Sequence, residues 1–433
     1  MSSLPATEPA VDPHELRDGL AEARARTLEL VAPFSNAELE RVFSPLMSPL
    51  AWDLGHIAAY EDLWLVHRFG GEPMERADLA EVYDAFETPR AGRGDLPFLG
   101  PGEARAYGER VRERALGLLE RRGPGDGRLH EMVIRHEHQH NETMLQTIGL
   151  ARIDRAPRRA VTPPAAGAEH TGLDLVDVPA GPFERGAPAA GFAYDNERPR
   201  ETVEVGGFRI GRTPVTNGAF EAFVAQGGYE REELWSAAGW RWRCREQVRR
   251  PVQWGDDGRE WRIGAAWRAR SPGEPVSHVS WFEAEAFARA HGARLPTETE
   301  WEKAATWDPA RGETRAYPWG DAPPRAGDAR ANLDQLCFGP APAGAYPAGA
   351  SPCGALGMLG DVWEWTASPF QGYPGFVAHP YREYSEVFFD GDFRVLRGGS
   401  WATRARVATP TFRNWDHPQR RQIFSGFRIA RDA

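Results

Sequence analysis

Three cysteines, Cys244, Cys337 and Cys353, are all that 433 residues carry, too few and too scattered to frame a disulfide scaffold. No apolar stretch reaches the length of about 18 residues that a membrane span needs. The opening residues, MSSLPATEPAVDP, are polar and proline-containing and lack the apolar core of a signal peptide. Basic charge is also short: 52 Lys and Arg stand against 62 Asp and Glu, a formal net charge of −10, with arginine far outnumbering lysine. Arg249 and Arg250, near Arg243 and Arg245, read as a solvated face, so nothing marks a nucleic-acid surface. A cytoplasmic protein with neither membrane nor nucleic acid as partner is the simplest expectation. What is present is apolar content of 41%, enough for about two to three domains with real cores. Sixteen tryptophans, most of them after residue 230, suggest two halves of different construction.

Taken in order, residues 14–31, HELRDGLAEARARTLELV, repeat apolar positions at helical spacing and end before Pro33. Ser35 is placed as the N-cap of a helix in NAELERVFSPL, with Glu38 completing a capping box. A tryptophan-rich helix runs from about Pro49 to Phe69 and stops at Gly70 and Gly71. After a loop carrying TPRAGRGDLPFL, the segment EARAYGERVRERALGLLERR reads as a third long helix, closed by Gly123, Pro124 and Gly125, and residues 130–150 read as a fourth. Long helices on short loops predict an up-and-down four-helix bundle over residues 1–153. Residues 154–172 turn to Arg, Pro and Ala and read as a linker. From 173 to 433 short β-like runs, LDLVDVPAG, ETVEVGGFRIG and FRVLRGGSW, are separated by Gly, Pro and Asp, with two amphipathic helices near NGAFEAFVAQ and WFEAEAFARAHG. That pattern predicts an irregular α+β domain held by side-chain packing. No internal repeat is visible.

The chemistry concentrates in HEMVIRHEHQHNETMLQTIGL, residues 130–150. His136 and His140 stand four apart, so on a helix both imidazoles project from one face, in line with Met132, Met144 and Ile148. Polar Glu137, His138 and Asn141 are expected to the sides. His56 sits on the tryptophan-rich helix in a similar line with Trp52 and Tyr60. Three inward histidines on two helices suit a divalent transition metal with open positions, whereas a lone HxxxH pair more often marks satisfied core residues. The same residues spell HExxH, which keeps open a zinc hydrolase with Glu137 as general base.

The second half carries GRTPVTNGAFEAFV, PVSHVSWFEAEAFARAHGARLPTETEWEKAA, YPWGD, GDVWEWTASPF, RVLRGGSW and FSGFRIAR. Together these resemble the formylglycine-generating-enzyme, or C-type-lectin-like, fold. The cysteine pair that such enzymes use is replaced here by residues around Trp401–Thr403 and Ile429–Ala430, so that activity is not expected. The first half resembles a DinB-type four-helix bundle with its metal histidines. The order of bundle, linker and formylglycine-type domain resembles the sulfoxide synthases of ergothioneine biosynthesis over about 400 residues. That resemblance implies a non-haem Fe(2+) enzyme, with iron on His56, His136 and His140. It uses dioxygen to join a thiol, usually that of γ-glutamylcysteine, to carbon 2 of the imidazole of hercynine, the trimethylated betaine of histidine.

The segment FRNWDHPQR, residues 412–420, supports the carry-over: it is too polar for core and too specific for a linker. A trimethylammonium ion is best held against an aromatic face, and Trp415 would serve. Asn414, and Gln139 beside His140, would hydrogen-bond the rest of hercynine. The dipeptide, with two carboxylates and one ammonium, calls for Arg90, Arg420 and Asp416, Arg90 rather than its neighbour Arg93 standing where the resemblance implies an arginine. Such a site would need both halves of the chain. The family's proton-donating tyrosine falls within GYPGFVAHPYREYSEVFFDGDF, where Tyr373 and Tyr381 are the choices put forward and Tyr384, Phe376 and Phe393 are neighbours. A phenylalanine at that place would suggest another proton source or a selenium donor. A catalytically silent lectin-like module on a structural bundle is the reading from another class. The oligomeric state is left open, a monomer being plausible.

Overall fold

The computed structural model describes residues 11–155 and 160–433. The opening residues 1–10, part of the stretch judged to lack a signal sequence, lie outside the described residues. Two compact units are formed, one by residues 11–155 with Ala190–Phe192 and the other by residues 160–189 and Ala193–Ala433.

The first unit is helical. Helix α1 (Pro13–Val31) starts where the Asp12 carboxylate accepts from the His14 amide and Pro13 presets the first turn. Helix α2 (Asn36–Leu39) has the expected capping box of Ser35 and Glu38 but is a single turn rather than the longer helix expected. Helix α3 (Leu50–Glu61) carries His56 and passes directly into a π-helix, Asp62–Phe69. The Asp62 carboxylate accepts from the Glu75 amide at 2.8 Å, from the Arg76 amide at 3.2 Å and from the Tyr107 hydroxyl at 2.9 Å. Those contacts hold the widened turn in place. Helices α4 (Pro101–Arg122) and α5 (Arg128–Ala151) complete the unit, α4 ending on Gly123 at φ +72° as a glycine cap should. Packing is principally α3 on α4 and α1 on α5, with α5 also against α3.

A buried ionic network ties these helices together. Arg24 donates to Glu137 at 2.8 Å and to Glu61 at 2.9 Å, and Arg112 donates to Glu61 at 2.6 Å and to Glu137 at 3.2 Å. Two guanidiniums matched to two carboxylates are tolerable without water because nearly every donor and acceptor is satisfied.

The second unit is α+β, with short elements throughout. Strands β1 (Leu175–Val178), β2 (Gly181–Arg185), β3 (Glu201–Val205) and β4 (Phe208–Gly211) open it. Four α-helices follow, α6 (Asn217–Ala225), α7 (Ala237–Arg245), α8 (Trp281–Ala290) and α9 (Glu298–Thr306), where the sequence suggested two. Hairpin β5 (Arg259–Arg262) and β6 (Ala266–Ala269) lies between α7 and α8, and β7 (Trp307–Asp308) pairs with β8 (Glu313–Thr314) after α9. The last strands are β9 (Trp363–Pro369), β10 (Arg394–Arg397), β11 (Asn414–Asp416), β12 (Ser425–Gly426) and β13 (Ala430–Asp432). The main sheet runs β11-β10-β9-β12, placing β11 at an edge, and a second runs β1-β4-β13. The fully buried Trp301 and Trp365 and the buried pair Arg428 and Glu364, at 2.6 Å, fill the core that such short strands cannot close alone. Cys244, Cys337 and Cys353 are unpaired.

Candidate metal centre and substrate residues

Helix spacing delivers the three histidines as expected. Ligand atoms of His56 on α3 and of His136 and His140 on α5 all lie within 4.8 Å of one another, a group able to hold a metal ion. The Nε2 atoms of His56 and His136 are 3.2 Å apart. His56 Nδ1 is 2.7 Å from the Tyr83 carbonyl, which can only accept, so Nδ1 carries the proton and Nε2 presents its lone pair. Trp52 stacks on the His56 ring at 4.8 Å and Tyr60 on the His136 ring at 3.6 Å, fixing both ring planes. Burial first, and then the His140 ring, hold the His56 and His136 rings well below the ordinary histidine value. They are therefore neutral ligands at physiological pH. Three imidazole nitrogens converging so closely fit a borderline metal such as iron(II), and three ligands leave the remaining positions open.

The faces of α5 differ from expectation in one respect. Glu137, His138 and Asn141, expected at the sides, are 1%, 2% and 0% exposed and lie deeper than the half-buried His136 and His140. Partners on neighbouring helices explain this. Glu137 accepts from Arg24, Arg112 and Thr27, and His138 Nε2 sits 3.2 Å from Glu22. Burial alone would raise the Glu137 carboxyl, but Arg24 and Arg112 hold it below its ordinary value. Both its oxygens are spent on the ionic network, which removes the general base that the HExxH reading requires.

Gln139 is half-buried on α5 beside His140. Arg90 is exposed, with one nitrogen 3.4 Å from the Leu46 carbonyl. Arg93, the neighbour weighed against it, is buried and donates to Thr88 O at 2.9 Å, Ser48 Oγ at 2.7 Å and Ala85 O at 2.9 Å, so it is a structural residue.

In the second unit Asn414, Trp415 and Asp416 form the edge strand β11, all half-buried. Trp415 lies opposite Val395, and one face of its indole is covered by Phe370, parallel at 4.1 Å. Phe388 at 5.5 Å and the edge of Tyr384 at 5.9 Å flank it. The Asn414 side chain accepts from the Trp415 amide at 2.9 Å. Asp416 and Arg420, expected as separate contacts, lie 3.5 Å apart as an ion pair one helical turn apart in sequence.

The tyrosines separate clearly. Tyr373 is buried between Arg185 and Arg413, at 4.4 and 4.3 Å, and its hydroxyl has no hydrogen-bond partner. Burial, and then Glu298, push its phenol above the ordinary value. Tyr381 is half-buried and meets Tyr384 edge-on at 6.2 Å. Tyr384 stacks on Tyr194 at 4.4 Å and is the tyrosine of this segment that touches Trp415. Phe393 stacks on His417 and Phe376 meets Phe389, so both serve packing. Sequence reasoning missed Phe370, Phe388 and Tyr194; only tertiary contact reveals them. Among the described residues no helix is long and apolar enough to cross a membrane.

Comparison with known proteins now defines the class. Residues 20–144 match the DinB superfamily and residues 162–433 the sulfatase-modifying factor enzyme 1-like domain, so this is a DinB-type helical bundle fused to a formylglycine-generating-enzyme-type domain. The chain is 51% identical to the hercynine oxygenase of Mycolicibacterium thermoresistibile across 97% of its own length and 96% of that protein. It is 50% identical to the hercynine oxygenase of Mycobacterium tuberculosis across 97% and 99% of the two chains. To the formylglycine-generating enzyme of Streptomyces coelicolor it is 34% identical, over 64% of this chain and 95% of that one. The chain belongs to the hercynine oxygenase family.

Proposed function

We propose that this protein is a non-haem iron(II) sulfoxide synthase that joins the thiol of γ-glutamylcysteine to carbon 2 of the hercynine imidazole at the expense of dioxygen. The observation that carries the reading is the cluster of three converging imidazoles, in a chain about half identical to hercynine oxygenases over 97% of its length. His56, His136 and His140 hold the iron, which supplies dioxygen activation when bound.

The remaining roles belong to side chains. The face of Trp415 that Phe370 does not cover takes the trimethylammonium group, while Asn414 and Gln139 hydrogen-bond the rest of hercynine and orient its ring. Arg90 and Arg420 bind the two carboxylates of the dipeptide and Asp416 its ammonium. For this Arg420 and Asp416 exchange part of their mutual contact for substrate, at small cost because the pair is loose and partly solvated. Tyr373 and Tyr381 are the candidates for proton delivery, and the half-buried Tyr381 is the more accessible of the two. The substrates are small molecules, and nothing in the reaction calls for nucleic acid or a membrane.

The test is an anaerobically iron-loaded protein given hercynine and air with γ-glutamylcysteine, free cysteine or a selenosugar in parallel. Sulfoxide formed preferentially from γ-glutamylcysteine supports the reading. Preference for either other donor overturns the donor assignment alone, and no product with any donor overturns the reading.

A further inference from the structure

Asp53 lies one turn before His56 on α3, so the two side chains share a face of that helix. The residue is fully buried, and neither carboxylate oxygen has a well-formed hydrogen bond. A carboxylate sealed from water without a partner is among the costliest groups a fold can carry. Its place in the first turn of α3, at the positive end of the helix dipole, offsets part of that cost.

The cationic side chain of Arg93 does not explain it. Arg93 is close enough to be felt, but its three nitrogens are committed to Thr88, Ser48 and Ala85 and its guanidinium rests on Trp52 at 3.8 Å. What Asp53 does reach is the metal centre: Oδ1 is 3.3 Å from His140 Nδ1, itself a buried atom without a well-formed partner. Two unsatisfied buried atoms at that separation, one able to donate and one able only to accept, are one small ring rotation from a hydrogen bond. The result parallels His56, whose Nδ1 is tied to the Tyr83 carbonyl.

We propose that Asp53 is a positioning residue of the metal centre: it accepts a hydrogen bond from Nδ1 of His140, fixes Nε2 as the ligand atom, and sets one negative charge beside the three imidazoles. A divalent ion on those imidazoles would otherwise leave two uncompensated positive charges inside the bundle. This inference rests on the three-histidine reading above and adds to it a residue outside the ligand set. Hydrogen-bonded carboxylates behind metal-bound imidazoles typically contribute roughly 10- to 100-fold in affinity.

The test uses Asp53→Asn, which keeps shape and removes charge, with cobalt(II) titrated into metal-free full-length protein against a chelator of known affinity. The expected result is binding weaker by roughly 10- to 100-fold, with a metal-free unfolding midpoint equal to or above that of the unsubstituted protein, because a buried unpaired charge has gone. Unchanged affinity overturns the proposal and leaves the three-histidine site standing. A loss of affinity matched by loss of the metal-free fold makes Asp53 merely structural and also overturns it. Failure of the unsubstituted protein to bind cobalt overturns both readings. A second measurement needs no substitution at Asp53: in zinc-loaded protein with 15N-labelled histidine, the His140 signals, identified by their loss in His140→Ala, should show a proton on Nδ1 and metal on Nε2. The reverse assignment overturns the proposal.

Discussion

Truncating Trp415 to alanine should separate the two substrates. The indole is proposed to meet the trimethylammonium group with the face that Phe370 does not cover. A quaternary ammonium has no N–H to donate, so most of its recognition rests on such a face, worth about 0.5 to 2 kcal/mol. Removing the indole does not simply hand the role to Phe370. That ring lies parallel but 4.1 Å further back, which puts it beyond useful reach of a cation seated for Trp415. The expected consequence is a rise in KM for hercynine of roughly 2- to 30-fold with little change for the thiol, measured by steady-state sulfoxide formation with each substrate varied in turn. Trp415→Phe should recover most of the loss because it restores a face at the same place. An equal rise for both substrates, or a phenylalanine variant as poor as alanine, would refute the cation–aromatic argument and point to collapse of the edge strand β11.

The ligand histidines and their neighbour should part company: His56→Ala, His136→Ala and His140→Ala lose bound iron and activity in metal analysis. His138→Ala keeps iron but, being buried, lowers the urea unfolding free energy by about 1 to 3 kcal/mol, so it is not the silent substitution a sideways-facing residue would give. Acid should weaken the metal-free protein through His130 and His278, which burial first, opposed by Asp126 in one case and joined by Arg262 in the other, holds down to about 4. Since their folded values lie below the ordinary 6.5, their stabilisation is complete above that pH and is lost as pH falls toward 4, on the order of 2 kcal/mol each by pH 5. Urea titrations of His130→Gln against the unsubstituted protein should show a shallower pH slope for the variant. Arg90→Ala should raise KM for γ-glutamylcysteine by roughly 10- to 100-fold and leave hercynine within twofold or so, as two-substrate kinetics would report.

Much of this molecule could be read from residue spacing. The His136 helix, the stop at Gly70, the capping box of Ser35 and Glu38 and the strands within ETVEVGGFRIG are local signals, and local signals survive. What was not legible depends on partners far away in the chain. The π-helix after Glu61 is held by Asp62 reaching the amides of residues 75 and 76, which no window around residue 62 contains. Helix α9 was legible and missed: Thr297 and Glu300 form a capping box in plain sequence, inside a phrase used only for its resemblance. Helix α7 begins at a Ser236 cap, but its interior, AAGWRWRCR, lacks the apolar period that would announce it. Of the candidate site, the three histidines followed from spacing. The surroundings of Trp415 did not, because Phe370, Tyr384 and Phe388 reach it from a stretch well before β11 in the chain.

The deepest misreading of position, that Glu137 and Asn141 flank the metal face, also explains why HExxH misleads here. On α5 the residues at 136 and 140 look toward α3, while those at 137 and 141 look toward α1, where Thr27 Oγ is 2.8 Å from Glu137 and 3.0 Å from the Asn141 side chain. One helix therefore carries two polar stripes about 100° apart. One carries the two imidazoles, with His136 Nε2 3.2 Å from His56 Nε2. The other accepts from Arg24, Arg112 and Thr27 at Glu137 and ties α5 to α1 and α4. A zinc hydrolase needs the glutamate of this motif to face the same open space as the histidines, with an oxygen left for water. Here both oxygens of Glu137 accept from Arg24, Thr27 and Arg112, so the letters of the motif are present and the free base is not.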